Sequence, residues 1–392
     1  MKNIGVICEY NPFHNGHAKQ LMLMKEQGNT VCLMSGSYVQ RGEPALLDKY
    51  VRARAAVLCG ADLVLELPLT YALRSAEGFA AGGVEILSAL GCVDTLCFGS
   101  ETGDAEAVWS TAETLLTEEF SVKLRSALAS GVSFPAARQN ALEQLGGDGC
   151  LLEQPNDILA VEYCKAILQQ KSALRPMVLH RDGSYHESAD RENPSATILR
   201  KMESWEGFIP PAALELFSAA VKYRISAGER AYLAILRALP ERAFEALPFG
   251  TEGLWRKVMN ACRTEATLEG ILAAAKSKRY TRTRLMRMLL CAFLGISEDT
   301  MKSKAPYVRV LALNETGQQI LHTARRISSI PIINAGETPP DSAYTELERR
   351  AADLYGLFAD RDAPMPPNSE ARARVIPIKE RQPLRRSGTG RG

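Results

Sequence analysis

Glu9-Tyr10-Asn11-Pro12-Phe13-His14-Asn15-Gly16-His17 stands between two segments of different period. Before it, Ile4–Cys8 is an unbroken apolar run that reads as a buried strand. After it, His17–Gln27 carries Leu21, Leu23 and Met24 among good helix formers, and Gly28 follows in the C′ position. A second apolar run, Thr30–Met34, completes one βαβ unit. Asp62–Leu67, Asp94–Phe98 and Met177–His180 supply further strands, with crossovers at Arg52–Cys59 and Ala76–Leu90. Short apolar runs alternating with helical patterns predict the α/β class, a doubly wound parallel sheet covered on both faces.

Outward from that unit the texture changes at Pro210-Pro211. Ala212–Leu239, Glu241–Leu247, Leu254–Ala261, Leu268–Lys276 and Arg282–Leu294 have helical spacing and few β-branched runs, which predicts a mainly helical domain. Tyr307–Leu313, a helix pattern to Arg326 and Ile330–Ile333 are expected to close that half as a small α/β element. The division is thus 1–208, 209–360 and a basic tail, 361–392. The tail is Pro- and Arg-rich, with Asp362, Glu370 and Glu380 as its acids, and is expected to be disordered. No period of 20–50 residues repeats, which sets solenoids aside.

The 392 residues are 46% hydrophobic and 23% charged, ordinary for a globular protein, so wholly disordered readings are out. No run of about 18 apolar residues is available to span a bilayer. The N-terminus passes from Ile4–Cys8 straight into polar Glu9 without the h-region or cleavage site of a signal peptide, which reads as a cytoplasmic protein. Nine cysteines lie singly, with no C-x-x-C pair, as reduced core residues do. With 47 basic against 45 acidic side chains, any nucleic-acid footprint must be local.

The chemistry is concentrated in the first turn. A strand, a Pro-bearing turn, His14-Asn15-Gly16-His17 and a helix start put two imidazoles and backbone N–H groups at a positive helix end, which suits a polyphosphate. His14 and His17 can donate to the oxygens that gain charge as pyrophosphate leaves, and Gly16 admits the phosphate without a Cβ. A metal pair or a capping histidine are the other readings of H-x-x-H. Downstream, the Ser195 and Thr197 hydroxyls can bind phosphate as a helix begins, and Arg200 can reach the departing phosphates. Read alone, that segment is a helix N-terminus with a surface cation.

Together these motifs resemble the nucleotidyltransferase superfamily with the H-x-G-H signature. The ordered series Glu9–His17, Met34–Gly42, Gly60–Pro68, Phe98–Glu101, Gln154–Leu159 and Ser195–Arg200 is similar, more narrowly, to the bacterial tRNA(Met) cytidine acetate ligase family. Lys278–Arg284 and Tyr307–Leu311 extend the resemblance over about residues 1–335. Asn193-Pro194 before Ser195 departs from the family, and the tail has no counterpart in it. The resemblance implies a Rossmann-like nucleotidyltransferase domain and a ligase acting through acetyl-adenylate, with N4 of the wobble cytidine of elongator tRNA(Met) as acceptor. ATP is a substrate, Mg²⁺ accompanies it, and acetate is the acyl donor. The implied catalytic residues are His14, His17 and Arg200. The implied ATP contacts are Ile7, Cys8, Glu9, Tyr10, Asn11, Pro12, Phe13, His14, Asn15, Gly16, His17, Ala18, Lys19, Gln20, Gly99, Asn156, Arg181, Ser195 and Thr197. Asn156 reads equally as a helix N-cap, and Arg181 as a surface cation.

For tRNA the candidates are Lys278, Arg279, Tyr280, Arg282, Arg284 and Arg287, a cationic stretch with an interleaved aromatic, and Arg41 in Gln40-Arg41-Gly42, a segment near the active face that suits either phosphate or RNA. A solvated helix face is the plainer reading of that stretch. Neither a P-loop nor H-E-x-x-H occurs, and Mg²⁺ ligands are not marked. Two other functions remain open at this point: a small-molecule adenylyltransferase, and an RNA-binding protein with a vestigial nucleotide site.

Overall fold

The computed structural model describes residues 1–181, 191, 194–277, 280–337, 339, 343–360, 369–375 and 377–378. The strands are β1 Asn3–Cys8, β2 Asn29–Ser35, β3 Tyr38–Val39, β4 Glu43–Pro44, β5 Leu63–Leu67, β6 Thr95–Ser100, β7 Arg175–His180, β8 Val308–Leu313 and β9 Ile332–Asn334. All five strands expected in the first half are present, each shifted by at most two residues at an end. Seven strands form one sheet in the order β7-β6-β1-β2-β5-β8-β9, and β3 and β4 make a separate hairpin. The five strands from β7 to β5 are parallel, and β8 runs antiparallel to β5.

Period-2 alternation explains how the sheet is covered. Ile7, Val31, Leu33, Leu63 and Leu65 point to one face, where helices Ala76–Ala89, Ala105–Leu115 and Pro155–Gln170 bury them with Phe79, Val84 and Val161. Val6, Cys8, Cys32, Met34 and Val64 point to the other, under helices Asn15–Gln27, Lys49–Leu58 and Pro211–Ala219, with Leu21, Met24 and Phe217. A third core, around Tyr232, Phe244, Val258, Ile271, Leu289 and Phe293, belongs to the helices between 225 and 301.

Three sequence expectations change. The helical pattern Ala212–Leu239 is two helices, Pro211–Ala219 and Ile225–Ala238. The link between them is extended, because Tyr223 N donates to Leu46 O and Arg224 N to Phe358 O. Next, β8 and β9 do not close the helical half but extend the main sheet. Every residue of β8 is buried, and its pairing covers the edge that β5 would otherwise expose. Gly317 makes this possible, since a Cβ there would sit 2.0 Å from the Asp62 carbonyl oxygen. The sheet therefore takes strands from both sides of the 208/209 division.

The tail is the third correction. Ser369–Arg372 is a helical turn within the segment expected to be disordered. Glu370 lies 2.8 Å from Lys49 Nζ and 3.4 Å from Arg309 Nε and accepts a bond from Tyr50 Oη at 3.1 Å, while Ile378 N donates to Leu313 O. A Pro- and Arg-rich composition hides that one carboxylate in the tail has two buried cations waiting for it.

Candidate active site

Strands β1 and β6 are neighbours, and their outgoing connections run to opposite sides, toward β2 and β7. A crevice opens at such a switch point beyond the carboxyl ends of the strands, the usual place for a ligand in an open α/β sheet. A cavity of about 480 Å³ lies there. Its walls bring together Ile7, Cys8, Glu9, Tyr10, Asn11, His14, Gly16, His17, Lys19, Gln20, Gly99, Asn156, Arg181, Ser195, Thr197 and Arg200, together with Arg41.

Backbone acceptors hold the first turn in place. Arg52, fully buried, donates to the carbonyls of Leu47, Glu9, Ser35 and Gly36, so one guanidinium ties the end of β1 to the end of β2. Asn11 Oδ1 accepts from Leu46 N at 2.7 Å. Tyr10 takes a left-handed φ of 47°, uncommon for a bulky residue, and its ring is fixed by contact with Phe13 and His17, each with centroids 4.9 Å away. His14 caps helix Asn15–Gln27 with extended backbone and no side-chain cap bond, which leaves its imidazole to stack on His17 at 3.6 Å. The Nδ1 atoms of both rings are buried and have no hydrogen-bond partner among the described residues. Asn15 N is taken by Phe208 O and His17 N by His14 O, so the backbone donor of this helix end that faces the cavity narrows to Gly16.

Burial pushes the His14 imidazole down to about 3, and Arg181 adds to the effect. His17 is lowered well below its ordinary value by burial, then by His14 and Arg181. Both rings are therefore neutral near pH 7, and the positive charge on the cavity walls belongs to the arginines and Lys19. Between about 6.5 and the folded-state value, the unfolded chain binds a proton at His14 that the folded chain does not, so stability falls as the pH is lowered through that window. Urea unfolding of the wild type should lose about 1.4 kcal/mol per pH unit for each such histidine below pH 6.5. His14→Gln should flatten that slope; an equal slope in both proteins would show that His14 is not buried neutral.

The far wall comes from β6, β7 and helix Pro155–Gln170. Gly99 follows Phe98 near the end of β6, and a Cβ there would meet nothing closer than 3.9 Å, so the space beside it is open. Asn156 is not the N-cap of its helix; Gln154 is. The Glu101 carboxylate satisfies that helix end, accepting from Asn156 N at 3.2 Å, Asn156 Nδ2 at 2.6 Å and Asp157 N at 2.8 Å. Arg181 reaches Asn156 Oδ1 at 3.4 Å. Phe79, Phe98, Leu159 and Tyr163 add an apolar, aromatic wall suited to a purine. Across the cavity Arg200 donates to Asn11 O at 2.8 Å and to Thr197 Oγ1 at 3.1 Å, which binds the second motif to the first turn.

Four residues carried over from the resemblance do not line the cavity. Phe13 is core, Pro12 is buried in the turn, Ala18 packs on the opposite side of its helix, and Asn15 Nδ2 donates to Arg191 O and Gly207 O. Conversely, Arg52 and Glu101 were given no role in the sequence, and Gln40 stood there only within the Gln40-Arg41-Gly42 candidate for phosphate or RNA contact. For Arg52 a signal existed, an arginine on the apolar face shared with Ala55 and Ala56. Glu101 and Gln40 depend on partners far away in the chain.

Of the tRNA candidates, Lys278 and Arg279 lie outside the described residues. Arg282 is exposed and paired with Glu269 at 2.5–2.7 Å. Arg284 donates to Phe249 O and Thr251 Oγ1 and stacks on Tyr280. Arg287 lies over Phe249 and reaches Gln40 O at 3.5 Å. Burial lowers Arg287 to about 10. Gly42, at φ 81°, packs directly on the Arg287 backbone, so the β3–β4 hairpin joins this helix to the cavity mouth.

The HIGH Nucleotidyl Transferase family model matches residues 1–368. The tRNA(Met) cytidine acetate ligase of Alkaliphilus metalliredigens (strain QYMF) is 37% identical, with 93% of this chain and 96% of that protein covered. The chain belongs to the tRNA(Met) cytidine acetate ligase family. A second relative of the same name, from Clostridium tetani (strain Massachusetts / E88), is 36% identical over 93% of this chain and 98% of its own. Among solved structures, apo Thermotoga maritima TmcAL (form I) superposes with a TM-score of 0.85 at 30% identity, covering 97% of this chain and all of that one. The same protein bound with alpha-thio ATP gives 0.82 at 30% identity, covering 91% and 95%. The α/β sheet with a helical C-terminal part is thus the family's architecture.

Proposed function

We infer that the chain is an ATP-dependent ligase that activates acetate as acetyl-adenylate and transfers the acetyl group to N4 of the wobble cytidine of elongator tRNA(Met). The observation that carries this reading is one cavity at the switch point in which two neutral, stacked imidazoles, their Nδ1 atoms without a partner among the described residues, share the walls with Arg181 and Arg200. A carboxylate oxygen of acetate attacks the α-phosphorus, and the bond to the bridging oxygen breaks, so pyrophosphate leaves with the electron pair. His14, His17 and Gly16 N–H are placed to donate to oxygens that gain charge in that step, and Arg200 to hold the leaving phosphates. Ser195 and Thr197 present hydroxyls beside them. Adenine fits the aromatic wall past Gly99, with Asn156 and Arg181 at its rim. In the second step the cytidine N4 lone pair attacks the acyl carbon, the bond to the AMP oxygen breaks, and one N4 proton goes to solvent.

Mg²⁺ accompanying ATP needs few protein ligands, because phosphate oxygens and water supply most of its shell. Among the described residues no group of three or more His, Cys, Asp or Glu stands together as metal ligands would. All nine cysteines are free, which suits a reducing, cytoplasmic setting. No helix among the described residues is long and apolar enough to cross a membrane.

The test is incubation with ATP, labelled acetate and unmodified tRNA(Met), followed by nucleoside analysis. Labelled N4-acetylcytidine is expected, and its absence with well-folded protein overturns the reading. For tRNA binding, the helical part between 209 and 360 supplies the basic surface. Arg284 is already engaged by Phe249 and Thr251, so its replacement would disturb the fold. Exposed Arg282 is the informative position: Arg282→Ala should weaken tRNA binding several-fold and reduce its salt dependence by about one phosphate contact. Acetate-dependent ATP–pyrophosphate exchange should change far less; an equal loss in both assays would remove Arg282 from the RNA surface.

A further inference from the structure

Gln40 is held from two sides by its backbone. Its N–H donates to Glu9 Oε1 at 2.7 Å, and its carbonyl accepts from Arg287 Nη1 at 3.5 Å. Glu9 belongs to the turn after β1, Arg287 to helix Arg282–Leu294, so this one peptide joins the adenylate side to the candidate tRNA side. The side chain is then left to the cavity, which it lines, and its Nε2 is buried without a hydrogen-bond partner among the described residues. A buried amide N–H left unpaired is costly, and water or a ligand acceptor is what relieves it.

The position of that donor narrows the ligand. Gly99, Asn156 and Arg181, assigned above to the nucleotide, stand on the β6–β7 side, whereas Gln40 lies in the turn of the β3–β4 hairpin, tied to Glu9 after β1 and to Arg287 of helix Arg282–Leu294. Phosphate in this cavity has guanidinium groups to meet it, including Arg41 next in the chain. A neutral amide donor matches a neutral acceptor better, such as the ring N3 or O2 of a pyrimidine. We propose that the Gln40 side-chain amide receives the target cytosine, donating to an acceptor on its ring edge so that N4 faces the acyl carbon. This rests on the function inferred above and specifies how its second step is aimed. The chemistry of that step is unchanged: N4 bonds to the acyl carbon, AMP departs with the electrons of the acyl C–O bond, and N4 releases a proton. Gln40 exchanges no proton; it binds and orients. Uracil, with a donor at N3, offers the amide only O2 and lacks the amine that the acyl carbon must meet.

The experiment uses the full chain with Gln40→Met, which keeps side-chain length and both backbone bonds but removes the donor, and compares two rates. One is acetate-dependent ATP–pyrophosphate exchange, which needs no tRNA; the other is N4-acetylcytidine formation on tRNA(Met). The ratio of transfer to exchange is expected to fall about tenfold or more, the scale of one lost buried hydrogen bond. Gln40→Asn, with the donor retained on a shorter arm, is expected to recover part of it. A ratio within twofold of the wild type in Gln40→Met overturns the proposal, whether both rates fall together or neither falls. A raised KM for acetate in exchange, with the ratio unchanged, would assign the amide to the carboxylate substrate and overturn it too. If the wild type itself performs exchange but leaves tRNA unmodified, the cytidine acceptor is wrong and the proposal falls with it. Wild-type acetylation with an unchanged Gln40→Met ratio removes the proposal alone.

Discussion

His17→Ala should fold normally and yet form acetyl-adenylate at least about 10²-fold more slowly, the usual effect of removing one preorganised transition-state donor. The expectation of normal folding comes from its surroundings. His17 sits on the cavity side of its helix, only partly buried, and its ring touches Tyr10, Phe13 and His14, which are themselves held by other core contacts. Removing it opens space that is continuous with the cavity, so the lost packing is shared with solvent. The loss in rate comes from a neutral donor whose alignment needs no reorganisation as charge develops on the leaving oxygens. Acetate-dependent ATP–pyrophosphate exchange measures the step directly, with circular dichroism as the folding control. Exchange within a few-fold of the wild type would place His17 in packing and leave the donor role to His14 and Arg200.

Local signals made this site readable. An apolar run, a proline turn and a helix start are specified by residues within about twenty positions of one another, so β1, the turn and helix Asn15–Gln27 emerge from the sequence with their order intact. Ser195, Thr197 and Arg200 also announce themselves as a short motif. What stayed hidden depends on partners distant along the chain. Arg52 owes its role to four backbone carbonyls, which no side-chain pattern encodes. Glu101 caps a helix that begins more than fifty residues later. The residues of β8 carry an apolar run visible in the sequence, but its place beside β5 rests on the close approach of Gly317 to Asp62, a contact between residues in different halves of the chain. The same limit explains the error about the tail, where composition described the majority of residues and missed the one that matters.

Truncation after Asp360 should destabilise the protein, whereas truncation after Ile378 should not. Read by composition alone, residues beyond 361 are dispensable. The structure places Glu370 in a buried cluster with Lys49, Glu66, Arg309 and Glu348. Burial pulls Lys49 down, but Glu370 and Glu66 outweigh it and hold the ammonium above its ordinary range. Burial first, against the pull of Lys49, pushes Glu66 up to about 7, with Glu348 and Glu370 adding to it. The truncation takes away the Glu370 carboxylate, 2.8 Å from Lys49 and 3.4 Å from Arg309, and with it the acceptor of the Tyr50 hydroxyl. It also removes the bond from Ile378 to the end of β8 and the packing of Val375 and Ile378. The loss should be about 1–3 kcal/mol, the scale for leaving a buried donor without its acceptor. The consequence reaches the active site by a short route. Glu66 packs against Gly36, where a Cβ would lie 2.1 Å from Oε1, and Gly36 O is one of the carbonyls that Arg52 binds to fix the first turn. Exchange activity of the Asp360 truncation should therefore fall at lower urea or temperature than that of the full chain, and Glu370→Gln in the full chain should show a smaller shift in the same direction. A truncation after Asp360 with the stability and exchange of the full chain would show that Lys49 and Arg309 are satisfied without Glu370, and that the tail's charge has no structural part in the site.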